Sequence, residues 1–169
     1  MKNSTSIMTV SIFLLMFLIS GCGGKSLPDG MPSLVTCSIL VQQDKIPLVN
    51  ANVSLIPADG SKWNAAGSTN DSGIAKLYTL SQYEGVPEGK YKVVVSKRET
   101  IPGVARASDG STKGTPDQHF NLVELQYSNL AETPLILEIV KGKSHYELEA
   151  GKAVRIQEKQ RQNDIVNIL

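Results

Sequence analysis

The chain has 169 residues, with 17 basic and 16 acidic side chains, and aromatic residues make up only 5% of it. This length supports one domain with its own hydrophobic core. A nearly neutral chain has no surplus of basic residues to neutralise phosphates, and few aromatic rings are available to stack on bases or sugars. Nucleic-acid binding is therefore excluded as a function.

The first 21 residues are predicted to be a lipoprotein signal peptide. Lys2 gives a weakly basic end, and the apolar run at 7–19 is shorter than the about 20 residues that a permanent membrane-spanning helix needs. The run ends in Ile19-Ser20-Gly21-Cys22. These four residues resemble a bacterial lipobox, which implies cleavage before Cys22 and attachment of diacylglycerol to its thiol. The alternative is that Cys22 only follows an ordinary signal peptide.

Lipid on Cys22 would make the membrane the first partner of this protein. Two or three acyl chains anchor a protein stably where a single chain does not. Residues 22–32, which include three Gly and two Pro, are then expected to form a flexible tether. Gly23 follows Cys22, whereas an aspartate there retains some lipoproteins in the inner membrane. We therefore favour the outer membrane over the inner one, with the domain facing the periplasm or the exterior.

The first predicted strand covers residues 34–41, where Cys37 and three aliphatic residues alternate with other side chains. Cys37 is the only thiol that remains once Cys22 is acylated, so we expect no intramolecular disulfide. No histidine or basic residue lies beside Cys37 in the sequence to lower its pKa. We interpret it as a small buried hydrophobic residue.

The stretch from 46 to 96 contains alternating runs separated by polar turns, which is typical of half-buried antiparallel strands. In the run at 51–56, every second residue from Ala51 onward is apolar, so these side chains share one face of the strand. The same holds in the run at 90–96 for every second residue from Tyr91 onward. Between them, residues 70–73 read Asn-Asp-Ser-Gly and predict a hairpin turn. Gly73 is the position at which a substitution should do most harm.

Further strands are predicted at 62–69 and 73–79, and the first of them contains Trp63, the only tryptophan. Trp63 has two interpretations, which both stay open at this point. It anchors the core, or it belongs to a binding surface on which a ligand stacks.

The second half of the domain contains one long irregular segment, 97–120, which is interpreted as a mobile surface insertion or as a binding loop. Residues 120–128 fit a short helix or a strand. The runs at 134–140 and 144–150 predict a hairpin, and the first run is apolar on both faces, which predicts a central strand. The tail, 151–169, is expected to fray or to dock a partner.

The order of these motifs resembles the transthyretin-like, carboxypeptidase regulatory-like group of small extracytoplasmic domains. The resemblance covers residues 33–150 and implies an all-β fold, an antiparallel β-sandwich of about seven strands. Residues 127–129 and 133–140 also look like the penultimate strand of bacterial lipoproteins built on this domain. The matching residues elsewhere are Pro47, Ala51, Val53, Leu55, Thr69, Gly73, Gly89, Tyr91, Val93 and Val95.

One branch of this fold hydrolyses 5-hydroxyisourate with an early His, an Arg after the turn glycine and a C-terminal Tyr-Arg-Gly-Ser. Here Ile74 stands at the place of the Arg, no His precedes His119, and the chain ends in Asn-Ile-Leu. We therefore predict no catalytic residues. His119 and His145 lack Cys or carboxylate neighbours at metal-site spacing, so no metal and no cofactor is predicted.

The sequence thus predicts a lipid-anchored protein of the bacterial cell envelope that acts as a non-catalytic binding or structural module. Its partner would be an envelope protein or a carbohydrate. Two alternatives remain: a small hydrolase of the hydroxyisourate-hydrolase type, and an accessory subunit of a larger envelope complex.

Overall fold

A computed structural model of the protein describes residues 26–105, 111 and 113–158. The signal peptide, Cys22 and the tail beyond residue 158 lie outside the described residues. The fold is all-β, with fifteen short strands and one helix of four residues in the described part. No helix there is long and apolar enough to cross a membrane.

The strands are more numerous than the seven or so expected, because turns break the chain into pieces that are often only two residues long. The first nine are β1 (Leu34–Val35), β2 (Ser38–Gln43), β3 (Ile46–Pro47), β4 (Asn52–Pro57), β5 (Ala65–Ser68), β6 (Ile74–Lys76), β7 (Tyr78–Thr79), β8 (Tyr83–Glu84) and β9 (Val86–Pro87). The others are β10 (Gly89–Ser96), β11 (Arg98–Ile101), β12 (Gln118–Asn121), β13 (Ile136–Ile139), β14 (His145–Glu149) and β15 (Ile156–Gln157), with helix α1 (Leu125–Ser128) after β12.

The largest sheet has six strands in the order β13-β10-β4-β5-β7-β8, and all neighbours are antiparallel. A second sheet has the order β14-β2-β3, and β6 also pairs with β2. The pair of β14 and β2 is parallel, which the expected antiparallel arrangement did not include. A small pair joins β1 to β9.

Buried residues of the two larger sheets belong to one hydrophobic cluster, which forms the core. Ile39 and Val41 of β2, Val53 and Leu55 of β4, and Val93 of β10 are all inaccessible to solvent and belong to one hydrophobic cluster. In these strands buried and accessible side chains alternate, because successive residues of a strand point to opposite faces. The predicted inward faces of these strands are confirmed.

The predicted turn at 70–73 is confirmed, and its side chains explain it. The Asn70 side-chain oxygen accepts hydrogen bonds from the backbone N–H groups of Ser72 and Ile74, at 2.9 and 3.0 Å. Gly73 has a φ of +74°, and a Cβ there would lie 2.8 Å from Cβ of Pro47. Beyond the turn, β5 and β6 separate into different sheets. Glycine is therefore required both for the backbone angle and for space.

The predicted hairpin of 134–140 and 144–150 is wrong. β13 pairs with β10 at the edge of the large sheet, whereas β14 pairs with β2 in the second sheet. β13 is therefore an edge strand rather than a central one, and Ile136 on its outer face is 67% exposed. The turn after β13 moves the chain from one sheet to the other, and that change cannot be read from the apolar pattern of either strand.

The segment 97–120 is more ordered at its two ends than expected. β11 and β12 pair antiparallel from Arg98↔Asn121 to Ile101↔Gln118, and β15 adds a third strand beside β12. We call the β11–β12 pair the arm. Residues 106–110 and 112, between its strands, lie outside the described residues. The segment 120–128 contains the end of strand β12 and then the helix α1.

Candidate functional site

Of the residues that the sequence singled out, the structure describes Cys37, Trp63, His119 and His145. Cys22 lies outside the described residues. Cys37 is a free, buried thiol between β1 and β2, and burial raises its pKa from 9.0 to about 11. The thiol therefore stays protonated near neutral pH, and a protonated thiol is neither a nucleophile nor a metal ligand.

Trp63 is buried, with 8% of its surface exposed, but it lies outside the main hydrophobic cluster. It lines a cavity of about 150 Å³ together with Tyr91 and three prolines, Pro32, Pro57 and Pro87. The ammonium group of Lys62 lies 4.6 Å from the centroid of the indole ring.

This cavity offers little room for a ligand that would stack on Trp63. Pockets for drug-sized ligands usually measure about 300 to 1,000 Å³, so this one takes at most a single side chain or ring. Tyr91 is fixed in its wall, because its hydroxyl donates a hydrogen bond of 2.9 Å to the Pro87 carbonyl. Burial, with a smaller contribution from Asp59, raises the pKa of Tyr91 to about 12. The ligand-stacking role of Trp63 stays a prediction.

A wider groove crosses the outer face of the six-stranded sheet. It has a volume of about 520 Å³ and contains no charged side chain, although charged residues make up 20% of the chain. The strand register places small outward residues side by side there, such as Asn52 opposite Ser68. Its lining consists of Asn52, Val53, Ser54, Ala66, Gly67, Ser68, Tyr78, Ser81 and Ser96.

Several polar groups of this groove are free to bind a ligand. The Ser68 hydroxyl donates to the Asn52 side-chain oxygen at 2.9 Å, which fixes the amide. Among the described residues, the hydroxyls of Ser54, Ser96 and Tyr78 make no hydrogen bond within the protein. The groove can therefore exchange hydrogen bonds with an uncharged polar molecule in place of water.

A strained turn borders this groove. Leu80 and Ser81, between β7 and β8, have φ angles of +51° and +58°. A bulky residue such as leucine seldom adopts this left-handed conformation. The backbone N–H of Leu80 donates to the Asn64 carbonyl at 3.0 Å, which helps to hold the turn in place. Strained residues of this kind are enriched at binding sites and switch regions.

Each histidine forms a hydrogen bond with a hydroxyl group on the neighbouring strand. His145 Nδ1 lies 2.9 Å from Ser38 Oγ, and His119 Nδ1 lies 3.0 Å from Thr100 Oγ1. A cavity of about 190 Å³, lined by Leu40, Ile74, Tyr146 and Glu147, adjoins the Ser38–His145 pair.

A hydroxyl bonded to an imidazole is the first element of a nucleophile and its base. A working site also needs a group that orients the imidazole, and donors for the developing oxyanion. In the described part of the chain, the other ring nitrogen of His145 has no hydrogen-bond partner. No cluster of three or more His, Cys, Asp or Glu side chains that could hold a metal ion occurs there either.

Comparisons of the chain with protein-family models, with curated proteins and with solved structures gave no match. The groove was missed by the sequence reasoning. Alternation along β4 does place Asn52 and Ser54 outward, but only the pairing of β4 with β5 and β10 brings Ser68 and Ser96 beside them.

Proposed function

We propose that this protein is a lipoprotein of the bacterial cell envelope, held at the membrane by lipid on Cys22. Its body is a transthyretin-like β-sandwich that binds an envelope partner, a protein or a carbohydrate, and performs no reaction. The outer membrane is favoured over the inner one, with the body on the periplasmic or outer side.

The observation that carries the proposal is the order of features along the chain. An apolar leader is followed at once by Cys22, then by a short segment that contains Gly and Pro, and then by an all-β body whose first strand begins at Leu34. A lipid on Cys22 would leave about ten residues between the membrane surface and the body. A flexible segment of that length spans roughly 15 to 20 Å.

The sandwich arrangement is supported by the distribution of buried residues. Strands β2 and β14 of the second sheet and strands β4 and β10 of the large sheet each bury one face, and these faces share one cluster. Two sheets packed face to face would produce this pattern. Strands β4 and β10, which carry several residues of the family resemblance, contribute Val53, Leu55, Tyr91, Val93 and Val95 to this cluster.

A binding role without chemistry is supported by the nature of the accessible groups. The groove on the large sheet offers hydroxyl and amide groups and no charge, which favours an uncharged polar ligand over a phosphate or an acid. Cys37, the free thiol of the described residues, is buried and protonated.

The proposal is tested by growing bacteria that express the full chain with labelled palmitate and comparing wild type with Cys22→Ala. We expect label in the wild type, no label in the variant, and loss of the variant from the membrane fraction. Cys37→Ala serves as the matched control, because it also removes one thiol and should keep the label. Equal labelling of wild type and Cys22→Ala would contradict the proposal.

One observation favours a second candidate function, a small hydrolase that uses Ser38 and His145. Their 2.9 Å hydrogen bond and the neighbouring cavity are the starting point of such a site. The test is turnover of small esters and of hydroxyisourate by the purified full chain. Activity lost in both Ser38→Ala and His145→Ala, but kept in Thr100→Ala and His119→Ala, would establish the hydrolase and overturn the non-catalytic proposal.

A further inference from the structure

The outer edge of the arm, on β12, is covered by β15, a short strand near the end of the described residues. β15 pairs with β12 through only two residue pairs, Phe120↔Gln157 and Asn121↔Ile156. The backbone N–H of Glu158 adds a hydrogen bond of 2.8 Å to the carbonyl of His119. We call residues 154–158 the strap.

The strap is attached to the arm by two ion pairs and by a contact with an aromatic ring. Arg155 pairs with Glu99 of β11 at 2.8 Å, and its guanidinium lies 3.8 Å from the centroid of the Phe120 ring. Arg98 of β11 pairs with Glu158 at 3.1 Å. Both strand residues of β15 are exposed to solvent. An ion pair that is exposed on both sides, such as Arg155–Glu99, contributes little to stability and weakens as salt is added.

One contact of the strap is left incomplete. The Oε1 atom of Glu158 is buried and makes no hydrogen bond, although Arg98 lies close enough to form an ion pair. The geometry therefore brings the two charges together without aligning an N–H with the oxygen.

The residues just before the strap are held firmly. The Gln43 side chain donates to the carbonyls of Ala150 and Lys152, at 3.5 and 3.2 Å. The N–H of Ala153 donates to the Asp44 carboxylate at 2.9 Å. Opening should therefore begin after Ala153 and leave the core intact.

We propose that β12 is an acceptor edge for a strand of a partner protein, and that the strap occupies this edge until the partner displaces it. An incoming extended segment would pair with β12 through main-chain hydrogen bonds, as in other cases of strand addition. The inference rests on the proposed binding role, and it names the partner as a polypeptide in extended conformation.

The charges on the arm indicate what the partner strand carries. When the strap leaves, Glu99 and the face of the Phe120 ring become available to bind a cationic side chain of the partner. Arg98 becomes available to bind an acidic side chain. A partner strand with an Arg and a Glu three residues apart would repeat the contacts of Arg155 and Glu158.

The first test is hydrogen exchange followed by mass spectrometry on the full chain in detergent. Amides alternate between the two sides of β12, so those of His119 and Asn121 face the strap, whereas those of Gln118 and Phe120 face β11. In Glu158→Pro, which removes the N–H donor and the partner of Arg98, we expect the strap-facing amides of β12 to exchange at least about tenfold faster than in wild type. Arg155→Ala should act in the same direction. Lys62→Ala also removes an exposed cation from an aromatic ring and should leave β12 unchanged.

The second test uses a labelled synthetic peptide of residues 151–169 as the incoming strand. It should bind the Glu158→Pro chain at least about tenfold more tightly than wild type, and a scrambled peptide should bind neither. Unchanged exchange of the strap-facing amides of β12 in both variants, or no binding of the peptide to Glu158→Pro, would overturn the inference. Both results are independent of the lipid anchor, which palmitate labelling tests separately.

Discussion

Substitution of Gly73 by alanine should destabilise the fold more than the same substitution at Gly142, a turn glycine with open space around it. Alanine at a φ of +74° costs about 1–2 kcal/mol. The new Cβ would also lie 2.8 Å from Cβ of Pro47 and 3.0 Å from the carbonyl oxygen of Val41. Crowding of this kind in a packed region adds about 1–3 kcal/mol. We therefore expect a loss of about 2–5 kcal/mol in the free energy of unfolding.

Gly142 provides the matched control. Its φ is +87°, yet nothing lies within 4 Å of the position that a Cβ would take, so Gly142→Ala should lose only the backbone part, about 1–2 kcal/mol. Urea denaturation followed by the fluorescence of Trp63, the single tryptophan, measures both variants. Equal losses at the two positions would refute the reasoning, because they would show that the space around Gly73 does not matter.

Three further changes test the core, the sheet edge and the buried thiol. Thr69→Val removes the hydroxyl that accepts the buried 2.7 Å hydrogen bond from the N–H of Ala51, and it should lower the free energy of unfolding by about 1–3 kcal/mol. Thr69→Ser keeps the hydroxyl and should retain most of that stability in the same denaturation measurement. Ile136→Ala, on the exposed face of β13, should cost less than about 0.5 kcal/mol. Leu137→Ala, at the next position but buried, should cost about 2–5 kcal/mol, and the reverse order would contradict the assignment of the buried face of β13. The pKa of Cys37 is raised from 9.0 to about 11 on folding, so its contribution to stability is complete below pH 9 and is lost as the pH rises through 11. The stability of wild type should therefore fall more steeply than that of Cys37→Ala across this range in urea titrations, and parallel curves would show that the thiol is not buried.

The sequence was sufficient where local patterns decide the structure. The alternation of apolar and polar residues in β2, β4 and β10 predicted which side chains are buried. Only one register places the apolar side chains in the core, because a shift by one residue would turn each of them to the opposite face. Asn70 and Gly73 predicted their turn, because a side-chain acceptor and a left-handed glycine are local requirements.

The errors concern strand partners, which depend on contacts far apart in the sequence. The turn around Gly142 has hairpin chemistry, yet β13 finds its partner in β10, and β14 finds a parallel partner in β2 more than a hundred residues away. An apolar residue at 136 indicated a central strand, but edge strands also carry exposed apolar residues.

The candidate sites depend on the same distant pairings. The groove needs β4, β5 and β10 side by side, and the covered edge of the arm needs β15 to return to β12. No short motif encodes either arrangement. The chemistry of Cys22, in contrast, is predicted from four adjacent residues and lies outside the described part of the chain.

The central claim is that a lipid on Cys22 holds the all-β body at the membrane, and the most direct test is the intact mass of the protein extracted from bacterial membranes. We predict a chain that begins at residue 22, lacks the 21 residues before it, and carries the added mass of a diacylglyceryl group on Cys22. An unmodified cysteine, or a chain that begins at another residue, would contradict the account.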